Sequence, residues 1–184
     1  MFTASEKKRE NIAEYLLYMW NIEDIIRANN LDLDKIESTI IANHTSLTPE
    51  QRKQMTEWYE SLIDMMRREN VVEKGHLQLN KNVIIDLENL SRRLLKDPKF
   101  SAYATQYYAT LPLIVELRAR SGEDKPGEIE ACFNALYGTM LLRMQGKEIS
   151  DDTKNAIARI SKFLALLAAY YKKDYNNELD IEEQ

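Results

Sequence analysis

Apolar residues recur every three to four positions along nearly the whole 184-residue chain, and no segment sustains strict alternation. That spacing lays one apolar stripe along a helix and would scatter the same side chains over both faces of a strand. The chain holds only 5 glycines and 4 prolines, residues that an all-β fold needs at its many turns. The expected fold is therefore all-α: a single-domain antiparallel bundle of six to seven helices joined by short connections. The length agrees with one domain spanning 1–184. With 44% hydrophobic and 30% charged residues there is apolar material for a real core.

Caps and stripes place the helices. The first is predicted from Ser5 to Asn29, with Ile12, Tyr15, Leu16, Met19, Ile22 and Ile26 in register. Leu17, Trp20 and Ile25 widen that stripe, which makes this helix central. A shorter helix follows over Asp32–Ala42. Thr48, Pro49 and Gln51 then form an N-cap, an N1 proline and a capping-box partner. They open a third helix that carries Met55, Trp58, Tyr59, Leu62, Ile63 and Met66 and ends near Asn70. The segment 71–82 breaks the pattern, which resumes at Val83, Leu87, Leu90 and Leu94. Asp97-Pro98 opens a fifth helix, in which Pro112 is expected to kink or split the backbone. A sixth runs from Pro126 to Gly146, and a seventh from the Ser150 cap through Tyr171. Trp58, Leu87, Phe133, Leu136, Leu164 and Leu167 lie mid-stripe and are the expected core. Glu116 interrupts an apolar face and is expected to pair with an arginine. Gly138, unfavourable inside a helix, is expected to admit a neighbouring helix closely.

The formal net charge is −5. Asp174, Glu178, Asp180, Glu182 and Glu183 account for all of it, because 174–184 contains no lysine or arginine. The body is neutral, and 174–184 reads as a flexible acidic tail. The densest basic group, Arg67, Arg68 and Lys74 with Arg92 and Arg93 beyond, is interleaved with Glu69 and Glu73. It is not the footprint of a nucleic-acid binder. Cys132 is the only cysteine, which excludes an internal disulfide and reads as a small core residue. The longest apolar run, Phe163–Tyr171, is nine residues, well short of the ~20 a membrane span needs. The charged run Glu6–Glu10 does not resemble a secretion signal. Together these readings place the chain in the cytoplasm, with no membrane and no nucleic-acid partner.

Phosphate-binding glycine loops, dinucleotide fingerprints and nucleophile elbows are all missing, and the only histidines are His44 and His76. No catalytic residue, metal ligand or cofactor is predicted. Glu73 and His76 have the Glu-x-x-His spacing of di-iron bundles, but a second copy ending at His44 would need an acid where Ile41 stands. The segment between the third and fourth helices is nonetheless where local pattern fails. Such failures mark function or strain. The candidate ligand-binding residues are Arg67, Glu73, His76, Asn80, Asn82 and Asp86. In that reading His76 is the titrating group, Glu73 or Asp86 orients it, and Arg67 holds an anionic group. The simpler reading is a solvated connection with Asn80 or Asn82 capping the next helix.

Four strings carry a resemblance. They are Asn11-Ile12-Ala13-Glu14-Tyr15-Leu16-Leu17-Tyr18-Met19-Trp20, Glu57-Trp58-Tyr59-Glu60-Ser61-Leu62-Ile63-Asp64-Met65-Met66-Arg67-Arg68, Glu73-Lys74-Gly75-His76-Leu77 and Cys132-Phe133-Asn134-Ala135-Leu136-Tyr137-Gly138. The chain resembles, over nearly its whole length, a family of bacterial proteins known as a domain of unknown function. The resemblance implies a bacterial, cytosolic, helical protein and transfers no active site. The leading functional reading is a non-enzymatic helical module for self-association or protein binding, with a homodimer expected. Its support is the lack of catalytic motifs, the wide first helix, and the pairs Tyr107-Tyr108 and Tyr170-Tyr171, each expected to point one ring inward and one outward. The alternative is a small-ligand-binding or hydrolytic bundle with its polar site near 73–86.

Overall fold

Asn11 divides the long N-terminal helix that periodicity alone predicts. Its side-chain Oδ1 accepts the Ala13 N–H at 3.0 Å, an alternative to the helical ladder that asparagine offers readily. The result is α1 (Phe2–Glu10) and α2 (Ile12–Ala28). The computed structural model describes residues 2–122 and 125–181. Among these residues there are eight α-helices and no strand, so the all-α expectation holds, with one helix more than predicted because of the break at Asn11.

The chain divides into two compact units, residues 1–10 with 14–82 and residues 11–13 with 83–184. In the first unit, α3 (Leu33–Ile36) starts from Asp32, whose side chain accepts the Lys35 N–H, and runs on into a π-helical turn at Glu37–Ile41. α4 (Pro49–Arg68) opens on the predicted box. The Gln51 N–H donates to Thr48 Oγ1, and the Thr48 N–H donates to Gln51 Oε1. Along α2, Leu16, Met19, Trp20, Ile22 and Ile26 are all buried, whereas Leu17 and Ile25, which widen the stripe, are half-buried. α5 (Gln78–Lys96) begins five positions before the predicted start at Val83.

In the second unit a 3₁₀ turn at Pro98–Phe100 leads into α6 (Ser101–Arg120), followed by α7 (Glu128–Met144) and α8 (Asp151–Tyr175). Each of α6, α7 and α8 packs against the other two. Tyr103, Phe133, Cys132, Phe163 and Leu167 are buried there, and the Tyr103 and Phe163 rings lie 5.8 Å apart. Pro112 does not split α6. It is exposed, so the Tyr108 carbonyl that loses its partner can turn to water.

Of the predicted core, Leu87, Phe133, Leu164 and Leu167 are buried, whereas Trp58 and Leu136 are only half-buried. In both misreadings the next residue, Tyr59 or Tyr137, takes the inward position. One residue is a rotation of about 100°, within the width of these stripes. Glu116 pairs with Arg120 as expected, but on an exposed face. Among the described residues a Cβ at Gly138 would meet nothing within 4 Å, so that glycine does not serve a close approach of a described helix. At the C-terminus, Asp174 pairs through both oxygens with Arg93 at 3.1 Å, and Asp180 meets Lys99 at 3.4 Å. Residues 182–184 of the predicted tail lie outside the described residues. No described helix is long and apolar enough to cross a membrane.

Candidate functional site

α4 ends where Asn70 enters the left-handed region at φ 56°, and the chain turns again at Gly75, φ 88°. Two side chains one turn apart on α2 hold the intervening loop. The Arg27 guanidinium donates to the carbonyls of Val71, at 3.1 Å, and Gly75, and is itself braced by Asp24 at 2.8 Å. Glu23, fully buried, takes the end of the loop.

Three donors converge on the Glu23 carboxylate. Its Oε1 accepts the Leu77 N–H at 2.9 Å and Asn80 Nδ2 at 2.6 Å, and its Oε2 accepts His76 Nδ1–H at 2.6 Å. A carboxylate can only accept, so this geometry assigns the Nδ1 proton and leaves Nε2 for any further partner. The His76 ring stacks on Trp20 with centroids 4.1 Å apart and planes 11° from parallel. The Gln78 N–H donates to Glu69 Oε2 at 2.6 Å. The first amides of α5 are thus met by two acids, where a helix N-terminus favours negative charge. That is why α5 starts early, and neither Asn80 nor Asn82 caps it.

The predicted residues fare differently. His76 and Asn80 come together on Glu23. Asn80 is buried, and its Oδ1 has no hydrogen-bond partner among the described residues. In the orienting place expected for Glu73 or Asp86 stands Glu23. Glu73 is exposed in the non-helical loop, so the Glu-x-x-His spacing does not become one helix face. Asn82 is exposed and accepts from Gln78 Nε2 at 2.9 Å. Asp86 is exposed on α5 in the second unit, close enough to raise the pKa of Tyr171 beyond what burial alone does. Arg67 donates to the Leu31 carbonyl at 3.2 Å and lies 3.7 Å from Asp64. It lines an open groove of about 420 Å³ beside Asp32 and Asp34, without His76.

The second unit carries a cleft of about 430 Å³ that sequence reading missed. Glu88 and Arg92 enter it from α5, Tyr107 and Arg118 from α6, and Glu128 from the start of α7. Tyr107 Oη donates to Glu128 Oε2 at 2.7 Å, and Arg118 Nε to the Pro126 carbonyl at 2.9 Å. The Glu88 carboxylate lies against Gly127, where a Cβ would sit 1.7 Å from Oε1. Oε1 is buried without a partner among the described residues. Burial and then the neighbouring Glu130 push the Glu88 carboxyl above its usual range, against the pull of Arg92. The lone thiol, by contrast, is inert: burial pushes Cys132 up to about 12.

The family described as Domain of unknown function (DUF4924) matches residues 1–178. The chain belongs to that family. No curated protein and no solved structure matches it. The two glutamates of this DUF4924 chain were not equally hidden in its sequence. Glu23 sits four residues after Met19, three after Trp20 and three before Ile26, so a charge occupied a core position of the widest stripe. Glu88 shows no such conflict, since its cleft is assembled from three separate helices.

Proposed function

We propose that the chain is a non-enzymatic helical module that associates with a second copy of itself through the outer face of α6. One observation carries this reading: Tyr108, Pro112 and Val115 form an exposed apolar stripe at i, i+4 and i+7. Tyr108 is 62% and Val115 58% exposed, while Tyr107 points inward as expected. Tyr170 and Tyr171 are both half-buried, as are Leu17 and Ile25 on α2, so neither region exposes a large apolar surface comparable with that of α6. The stripe is nearly symmetric about Pro112. An antiparallel two-fold pairing there sets Tyr108 of each copy against Val115 of the other, the self-complementary arrangement of an isologous dimer. Interface cores favour tyrosine. A bacterial cytoplasmic setting belongs to the same reading, supported by a single buried thiol suited to a reducing compartment.

Light scattering over a wide concentration range tests it. The wild type should approach the dimer mass and Tyr108→Glu should stay monomeric with an unchanged helical spectrum. A wild-type monomer at every concentration would remove the proposal.

A second reading, a small-ligand-binding or hydrolytic site near 73–86, is favoured by the carboxylate-held imidazole, because an oriented Nε2 is what a general base requires. Its test is the Nε2 proton chemistry of His76 followed by NMR while candidate esters are added. Esters that neither perturb that signal nor hydrolyse faster than with His76→Gln would dismiss it.

A further inference from the structure

The cleft of the second unit brings together charged groups that form no ion pair among the described residues. Arg92 is exposed, one turn beyond Glu88 on α5, and has no ion pair among the described residues. Arg118 uses Nε on the Pro126 carbonyl, and its Nη donors have no partner among the described residues. Glu88 Oε1 is buried without a donor among the described residues, and Glu128 uses Oε2 on Tyr107. Leu95 and Ile129 supply an apolar part of the lining. The volume of about 430 Å³ falls within the range of small-molecule sites.

Two guanidinia and two carboxylates facing one cleft restrict what fits. A simple anion would meet the arginines but also be repelled by Glu88 and Glu128. A simple cation faces the reverse conflict. A molecule with both charges answers both, because a guanidinium presents forked donors to a carboxylate and an ammonium brings three donors and no acceptor. We propose that this cleft binds an amino-acid-sized zwitterion with an apolar side chain. Its carboxylate lies on Arg92 and Arg118, its ammonium beside the Glu88 and Glu128 carboxylates, and its side chain against Leu95 and Ile129. Gly127 is part of the site, since any side chain there would displace the Glu88 carboxylate. This binding is independent of the α6 face and of Glu23.

Titration calorimetry on the full chain tests the proposal with L-leucine, L-methionine and L-phenylalanine as probes. 4-Methylpentanoate and isopentylamine serve as leucine analogues lacking one charge each. At least one of the three amino acids should bind at millimolar concentration or tighter. Leucine should bind at least about tenfold, or ~1.4 kcal/mol, more tightly than either analogue. Glu88→Gln and Arg92→Gln should each weaken amino-acid binding by a similar factor. Arg92 is exposed, so Arg92→Gln reports on binding even if Glu88→Gln disturbs folding. No heat from any of the three amino acids overturns the site. So does equal affinity for a one-charge analogue, or affinity unchanged by Arg92→Gln.

Discussion

Glu23 and Glu88 are both taken from water, and the protein treats them in opposite ways. Glu23 is wholly buried and receives three donors, from the Leu77 backbone, Asn80 and His76. Glu88 is part-buried, has one oxygen without a partner among the described residues, and faces Glu130 and Glu128 as well as Arg92 and Arg118. A buried polar group whose hydrogen bonds are complete fixes a unique arrangement, whereas one left incomplete stores cost at its site. Glu23 therefore belongs to the architecture: it joins α2 to the loop and to the start of α5. Glu88 is held at a cost, and such cost collects where ligands bind.

The comparison breaks most visibly at Glu23. Glu23→Ala strands three donors at once, two of them buried, and should cost about 3–5 kcal/mol, the scale for removing one member of a buried charged network. Urea unfolding followed by circular dichroism measures it. A loss no larger than the ~0.5 kcal/mol typical of surface changes would show that the network is not architectural. His76→Ala removes a single hydrogen bond to a charged group, worth about 1.5–3 kcal/mol, from a side chain already 25% exposed. Combined in one chain, the two substitutions should cost clearly less than the sum of the single losses, because His76 has nothing to bond once Glu23 is gone.

Gly127 offers a test of the second region. Gly127→Ala places a methyl group where the Glu88 carboxylate lies, and should cost about 1–3 kcal/mol, the range for overpacking. Shortening the opposing side chain in Glu88→Ala/Gly127→Ala should restore most of that loss. A thermal melt of the double variant no higher than that of Gly127→Ala alone would mean that the two residues are not in conflict.

How far the sequence revealed this depends on how local each signal is. The Thr48–Gln51 box is written within four residues and appears as read. The all-α class follows from a periodicity present in every long segment. The start of α5 was unreadable locally, because the acids that satisfy Leu77 and Gln78 come from Glu23 and from Glu69. Two of the residues singled out from the candidate segment, His76 and Asn80, meet on one carboxylate, that of Glu23. Their partner was missed because it lies 53 and 57 positions away. Trp58 and Leu136 failed for another reason: on a wide stripe, adjacent residues compete for the inward position, and neighbours in space decide between them.

The smallest expected effect has the opposite sign from the others. Glu88 has a raised pKa in the folded chain relative to the usual 4.5. When folding raises a carboxyl pKa, the protonated form is the one the fold favours. Its contribution is fully present below the unfolded value and is lost as pH climbs through the higher folded value. Above that window the wild type folds with an ionised Glu88 that it holds at a cost, while Glu88→Gln has no charge to desolvate. The variant should therefore match the wild type at about pH 3.5, below the ordinary glutamate range, and be the more stable of the two at neutral pH. Glu88 is only part-buried, and the solvent that still reaches it screens the effect, so the gain should stay below about 1 kcal/mol. Paired melts across pH 3.5–8 measure it, and a variant less stable than the wild type at neutral pH would show that Arg92 and Arg118 more than compensate the burial of Glu88. An amino-acid zwitterion in the cleft should shrink this gap, because its ammonium adds to the counter-charge that Arg92 and Arg118 place beside Glu88 and gives the wild type a larger ligand-dependent rise than Glu88→Gln.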